Sequence, residues 1–235
     1  MVFVPAGEFS MGSEVGDADE RPIHTVYLDA YYIDMYEVTN ARYRLCVDAG
    51  TCLPPTNNAS FTRASYYGNL DFDDFPVMYV NWEMAQTYCA WRGAELPTEA
   101  QWEKAARGAD GRTYPWGEGI DCQRANYYHQ QGTEFVNCVG DTTRVNTYIN
   151  GLSPYGNYDM TGNVSEWVAD WYRDSYYRSS PLNNPTGPES GRERVVRGGS
   201  WSFSDYSLRA ANRYWYNPSN ALDGVGFRCA RSAGK

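Results

Sequence analysis

Soft metal ligands and redox groups are scarce in this chain. They are Cys46, Cys52, Cys89, Cys122, Cys138 and Cys229, with His24 and His129. A zinc centre wants four nitrogen or sulfur donors at tight spacing. With no Cys-x2-Cys pair and two distant histidines, the sequence predicts none. An even number of cysteines falling in local pairs points instead to disulfides. Cys46-x5-Cys52 would close a small loop after a helix; the other reading is buried free thiols in a reducing compartment. Nucleophilic chemistry is as thinly supplied. A catalytic Ser200 or Ser202 would need a base, and only His129 could serve, by an accident of folding. Glu99 and Glu103 share one helical face, but they read as a helix cap and a surface charge rather than an acid pair.

Hard-cation chemistry is better supplied. The 235 residues carry 29 acidic against 20 basic side chains, a net charge of −9. Acidic loops favour Ca2+, which takes carboxylate and carbonyl oxygens. No basic stripe is visible, so nucleic acid and anionic membranes are poor partners. No apolar run approaches the roughly 20 residues of a membrane span, so direct membrane insertion is not expected. Met1 precedes Val2-Phe3-Val4-Pro5 without the basic start or long apolar stretch of a secretory leader. The 21 Tyr and 8 Trp, with 22 Gly and 12 Pro, predict short elements, many turns and amphipathic surfaces.

The elements that must position these groups follow from pattern. Alternation over residues 2–36, in Phe9-Ser10-Met11-Gly12, Thr25-Val26-Tyr27-Leu28-Asp29 and Tyr32-Ile33-Asp34, predicts antiparallel strands around an acidic loop from Glu14 to Arg21. Thr39 caps a helix over about 40–49, and Asn81 caps a second that ends at Gly93. Thr98 and Gln101 fit a capping box opening a third. Trp82, Trp91 and Trp102 on these helices read as core. Residues 109–165 are irregular yet aromatic, which marks a functional or ion-bound stretch rather than disorder. Residues 166–171 and 194–199 read as strands. With no repeat, low-complexity run or linker, the chain reads as one domain over 1–235.

Several phrases then line up in order: Pro5-Ala6-Gly7-Glu8-Phe9-Ser10-Met11-Gly12-Ser13, Glu37-Val38-Thr39-Asn40, Leu96-Pro97-Thr98-Glu99-Ala100-Gln101-Trp102-Glu103, Gly162-Asn163-Val164-Ser165-Glu166-Trp167, Arg197-Gly198-Gly199-Ser200-Trp201 and Gly226-Phe227-Arg228. Together they resemble the formylglycine-generating enzyme (sulfatase-modifying factor) family across essentially the whole chain. The resemblance implies an α+β, C-type-lectin-like fold with few helices, much irregular structure and a short antiparallel sheet near the termini. It implies structural Ca2+, with one site matched by Asp159, Gly162, Val164 and Glu166. A second is matched by Asn126, Tyr127, Asn137 and Val139, weakened because Asn137 replaces an acid; a turn without an ion is the alternative at both. It also implies a Cys89–Cys229 disulfide. With the local pairs Cys46–Cys52 and Cys122–Cys138, oxidised cysteines would favour an extracytoplasmic or cell-surface location.

The chain departs from the family where its chemistry resides. The resemblance implies two copper-binding cysteines soon after Gly198-Gly199-Ser200, and soft thiolates are what Cu(I) prefers. Phe203 and Leu208 stand there, so no copper is expected and formylglycine formation is not supported. Two histidines do not support the iron chemistry of related sulfoxide synthases. The segment resembles instead the variable region of diversity-generating retroelement proteins on the same fold, in which adenine-targeted mutagenesis of Asn codons yields Ser, Tyr, Asp and Phe. Ser202, Phe203, Ser204, Asp205, Tyr206, Ser207, Tyr214, Tyr216, Asn217 and Asp223 look like that product; Trp215 does not. Leu208, Arg209, Ala211, Arg213 and Pro218 read as scaffold between them, and Arg209, Arg213 and Arg228 as partners of buried acids or carbonyls. The expectation is a non-catalytic binding protein whose contact surface is Ser202–Ser207 with Tyr214–Asn217 and Asp223, facing a protein or cell-surface ligand. The alternatives are an ordinary inactive family member with an aromatic loop, a family enzyme of unknown chemistry, and an assembly partner in a surface complex.

Overall fold

The computed structural model describes residues 1–234; Lys235, the last residue of the expected domain, lies outside them. In chain order the elements are β1 (Val2–Val4), β2 (Gly7–Met11), β3 (His24–Leu28), β4 (Tyr31–Ile33), α1 (Asn40–Asp48), α2 (Trp82–Trp91), α3 (Glu99–Arg107), β5 (Tyr128–Gln131), β6 (Glu134–Asn137), β7 (Ser165–Trp171), β8 (Arg194–Arg197), β9 (Tyr214–Tyr216), β10 (Val225–Phe227) and β11 (Ala230–Ser232). The three helices start where capping chemistry places them. The side chains of Thr39, Asn81 and Thr98 accept from the backbone N–H of Arg42, Met84 and Gln101, and the Thr98–Gln101 capping box is complete.

Both ends of the chain meet on one antiparallel sheet. β4 lies between β1 and β11, with Ile33 opposite Val2 on one side and Ala230 on the other. A second sheet runs β10-β7-β8-β9. Its β10–β7 pair is parallel, which the expectation of antiparallel pairing did not include; the β7–β8 and β8–β9 pairs are antiparallel. The core sits on both faces of this second sheet. On one, Trp102, Ala105 and Ala106 of α3 pack with Val168, Val195 and the β2–β3 pair. On the other, Tyr43, Tyr88 and Met84 from α1 and α2 pack with Trp167, Val196 and Phe227. α3 is amphipathic in an unusual way, because its second face is buried against charge rather than solvent.

All six cysteines are paired. Cys46–Cys52 closes the loop after α1, Cys89–Cys229 ties α2 to the chain between β10 and β11, and Cys122–Cys138 brackets the β5–β6 hairpin. Closing loops of very different length in this way removes freedom from the unfolded chain. Among the described residues no helix is long and apolar enough to cross a membrane.

Three sequence expectations need correction. Trp91 is 39% exposed and Trp82 is only half-buried, its indole donating to the Val168 carbonyl at 2.8 Å; only Trp102 is fully core. Glu99 and Glu103 are buried, not surface charges, because guanidiniums reach them from β8 and the chain after it. The irregular stretch 109–165 contains a hairpin, β5–β6, with four paired positions from Tyr128↔Asn137 to Gln131↔Glu134.

Candidate functional site

The expected contact segment leaves β8 through Gly198 and Gly199 and returns as the edge strand β9. Gly199 takes φ 66°, and a Cβ there would sit 2.9 Å from Leu208 Cδ1 and 3.0 Å from the Ser207 carbonyl, so the chain turns tightly onto its own following turn. Beyond it, Ser202, Asp205, Tyr206, Tyr214 and Asn217 are exposed, while Phe203, Ser204, Ser207, Trp215, Tyr216 and Asp223 are half-buried. The aromatic members form a ladder. Trp215 stacks on Tyr172 at 4.1 Å and neighbours Tyr214 at 5.4 Å, and Tyr214 meets both Tyr216 and Phe203 edge-on at 5.2 and 5.5 Å. Tyr172 was not anticipated, since it lies just past β7 and far away in sequence. Tyr206 donates from its hydroxyl to Asp17 at 2.9 Å, and the Arg209 guanidinium lies 4.4 Å from its ring centre.

Residues between the exposed positions turn inward. Leu208, Arg209, Ala211 and Arg213 are buried, as scaffold residues should be. Leu208 joins Tyr114, Ala125 and Tyr127 in an apolar cluster on which Phe203 packs. Phe203 and Leu208, where the resemblance implies thiolates, therefore form an apolar plug. Ser200 Oγ lies 3.1 Å from Ser202 Oγ, whereas His129 Nδ1 faces the sulfurs of Cys122 and Cys138 rather than either serine. No nucleophile–base pair is assembled from these residues.

Beneath the segment lies a lattice of buried charge. Arg209 makes a two-pronged contact with Glu20 of the acidic loop, 2.7 Å on each arm. Arg213 does the same with Glu99, at 2.7 and 2.9 Å. Arg197 bridges Glu99 and Glu103 at 3.0 and 2.6 Å, and Arg107 also pairs with Glu103. Burial alone would raise Glu99, but Arg213 and Arg197 outweigh it and hold its carboxyl below the usual range. Asp170, which accepts from the Glu99 N–H at 2.8 Å, is pushed up to about 8 by burial and by the Glu99 charge.

The first expected calcium set lies in the turn entering β7. Asp159 is buried, and a Cβ at Gly162, where φ is 79°, would collide with the Asn126 carbonyl. The sequence assigned Asn126 to the second set, yet the fold brings it against the first, and its Oδ1 is buried without a donor. Glu166 is already engaged: its oxygens accept from Trp102 Nε1 at 2.8 Å and from Arg228 Nε and Nη2 at 2.7 Å. Glu37, which the sequence left in a motif without a role, completes the cluster by accepting from Asn163 Nδ2 at 2.7 Å and the Val164 N–H at 3.1 Å. Three buried carboxylates thus lie near one buried guanidinium, which pairs directly with Glu166 alone. Burial raises Asp159 to about 6, with Glu166 adding repulsion, and burial with both neighbours raises Glu37 well above the carboxylate range. Asn126 Oδ1 has no donor and Asp159 accepts one backbone N–H, from Asn146 at 3.2 Å, but among the described residues the oxygens of Glu37, Asp159 and Glu166 are not all gathered within ligating reach of one another. The rest of the second set lies together at the base of the β5–β6 hairpin. The Tyr127 carbonyl accepts from the Cys138 N–H at 2.9 Å, and Asn137 and Val139 are exposed.

A model of the sulfatase-modifying factor enzyme 1-like domain matches residues 1–233. Among curated relatives, serine/threonine-protein kinase Pkn1 of Chlamydia trachomatis serovar L2 is 38% identical over 98% of this chain, which spans only 38% of that protein's length. The formylglycine-generating enzyme of Streptomyces coelicolor is 33% identical, covering 99% of this chain and 89% of that protein. Among solved structures, Treponema denticola variable protein 1 superposes with a TM-score of 0.79 at 26% identity, covering 98% of this chain and 94% of that one. The match of the family model to nearly every residue, on an α+β, C-type-lectin-like fold, makes this chain a member of the formylglycine-generating enzyme family.

Proposed function

We propose that this member of the family is a binding protein rather than a formylglycine-forming enzyme, and that its ligand is a protein or cell-surface molecule. The observation that carries this reading is the exchange at Phe203 and Leu208. Where the family's chemistry needs thiolates, this chain packs two apolar side chains against Tyr114 and Tyr127. Above that plug the segment alternates exposed polar and aromatic groups with buried anchors, the arrangement of a surface that varies without unfolding. Tyrosine and tryptophan give rigid, amphipathic contact at low entropic cost. The likeness to the Treponema variable protein supports diversification of this segment, with Ser202–Ser207, Tyr214–Asn217 and Asp223 as the contact residues. The three disulfides support an extracytoplasmic site of action. A structural Ca2+ at the set Asp159, Gly162, Val164 and Glu166 would neutralise the carboxylate excess behind the turn into β7.

Two measurements test this. A library randomised at Ser202, Ser204, Asp205, Tyr206, Ser207, Tyr214 and Asn217 is displayed and panned against a folded test protein such as lysozyme. The expected result is selected binders whose melting temperatures stay close to the parent's; general unfolding of the library would refute a tolerant surface. Incubation with Cu(I), O2 and a cysteine-containing peptide should form no formylglycine, and aldehyde formation would restore the enzymatic alternative.

A further inference from the structure

We propose that Cys122, His129 and Cys138 form a redox-gated site for a soft, tetrahedral divalent cation of the zinc class, available when the Cys122–Cys138 disulfide is reduced. The sequence hides this set, because the spacing Cys-x6-His-x8-Cys matches no zinc signature. The β5–β6 hairpin assembles it. His129 lies on β5 opposite Val136, and the two cysteines bracket the strands. Its Nδ1 lies 3.6 Å from Cys122 Sγ and 3.8 Å from Cys138 Sγ. Zn–S bonds of about 2.3 Å and Zn–N bonds of about 2.0–2.1 Å at tetrahedral angles give an S···N edge of about 3.6 Å. Two edges of the donor triangle therefore already have the length a zinc ion requires. Only the S–S edge must open, from a covalent bond to about 3.8 Å, and the hairpin register holds the strands while it does so.

Accessibility selects this disulfide for reduction. Solvent reaches Cys122 and Cys138, while Cys46, Cys52, Cys89 and Cys229 are all buried. The chemistry balances with a dithiol reductant. It gives two electrons and two protons to the S–S bond and closes into its own disulfide, leaving both cysteines as thiols. Cation binding then releases the two thiol protons and takes the His129 Nδ1 lone pair as the third ligand. The fourth position stays open to water or to a donor from a bound partner. The location couples the site to the displayed segment: the Tyr128 N–H donates to the Phe203 carbonyl at 3.0 Å, and Cys138 packs on the cluster that contains Leu208.

The test uses the intact chain with excess Ca2+ present, so that oxygen sites are filled. The protein is reduced with dithiothreitol, freed of reductant under argon and titrated with Co2+, then Zn2+. The expected result is one ion per chain, thiolate-to-cobalt charge-transfer absorption, and no uptake by the oxidised protein. Alkylation mapping should label only Cys122 and Cys138 in the metal-free reduced form. H129A, which retains the disulfide and its fold, should lose about tenfold or more in affinity. C122S/C138S should bind none, with its circular dichroism checked against the parent. Absence of metal uptake after reduction would overturn the site. So would equal affinity in H129A, or metal retained by C122S/C138S.

Discussion

Two buried clusters of carboxylate and guanidinium meet at β7, one through Asp170 and the other through Glu166, and they differ in charge balance. Under the displayed segment, Arg107, Arg197, Arg209 and Arg213 meet Glu20, Glu99 and Glu103, with Asp19 alongside. Formal charges cancel there, and Asp170 is kept protonated at neutral pH by its raised pKa. At the turn into β7, Glu37, Asp159 and Glu166 face Arg228 alone. The first cluster is complete as protein and works as a rigid base for β9. The second is complete only with added positive charge or bound protons. Buried pairs gain little over apolar packing, but removing one partner is costly. Stability tests should therefore separate the two clusters.

The largest effect is expected where balance is broken. Arg197 is essentially unexposed and joins Glu99 to Glu103. Arg197→Leu leaves Glu99 to Arg213 and Glu103 to Arg107, but it removes the bridge between them and one buried positive charge, and should cost about 3–5 kcal/mol in chemical denaturation. A loss below about 1 kcal/mol would mean that the lattice relaxes around water, and the claim of a rigid base would fail.

The unbalanced cluster should respond to calcium instead. If a site there binds Ca2+, an ion at a hundred times its dissociation constant adds about 2.7 kcal/mol. Asp159→Asn should abolish that increment while leaving the chelated protein as stable as the parent or more so, because a repulsive charge is gone. An Asp159→Asn protein that still gains from Ca2+ would place the ion elsewhere. pH sharpens the comparison. A carboxylate raised by folding contributes stability below its unfolded value, near about 4, and that contribution is lost as pH rises through the folded value. In chelator, stability should thus fall across the window ending at about 6 for Asp159 and again towards about 8 for Asp170. With Ca2+ bound the first fall should vanish, and Asp170→Asn should remove the second. Thermal melts from pH 4.5 to 8.5, with and without chelator, measure both.

How legible this was in the sequence depended on the range of the interaction. Helix starts were readable because Thr39, Asn81 and Thr98 act on N–H groups three residues away. The anchors Arg209, Arg213 and Arg228 were readable as partners of buried acids, since a guanidinium between motif residues has few other uses. Their actual partners were not, because Glu20 lies 189 residues from Arg209 and Glu99 lies 114 from Arg213. Glu99 and Glu103 were misread for the same reason: helical spacing shows that they share a face, not what covers it. β9 was missed because Tyr-Trp-Tyr lacks a period long enough to show alternation, and its pairing to β8 supplies the strand. Glu37 was hidden by serving a neighbouring turn rather than its own segment.

The smallest effects belong to the displayed residues, and they should differ among themselves. Tyr206 is 47% exposed, with one hydrogen bond to Asp17 and a guanidinium near its ring. Tyr206→Ala should cost about 0.5–1 kcal/mol, the worth of an exposed cation–π contact. Trp215 is half-buried, pairs with Val195 and stacks on Tyr172 at 4.1 Å, so Trp215→Ala should cost more, about 2–3 kcal/mol. The sequence alone put both on one contact surface, with only Tyr206 among the residues that look diversified. The fold divides them: Tyr206 reports on ligand contact, whereas Trp215 also secures the edge strand. Denaturant melts of the two single variants decide the matter. Equal small losses would extend the tolerant surface through β9. Equal large losses would shrink it to the turn between Ser202 and Ser207 and leave β9 as part of the base on which that turn is carried.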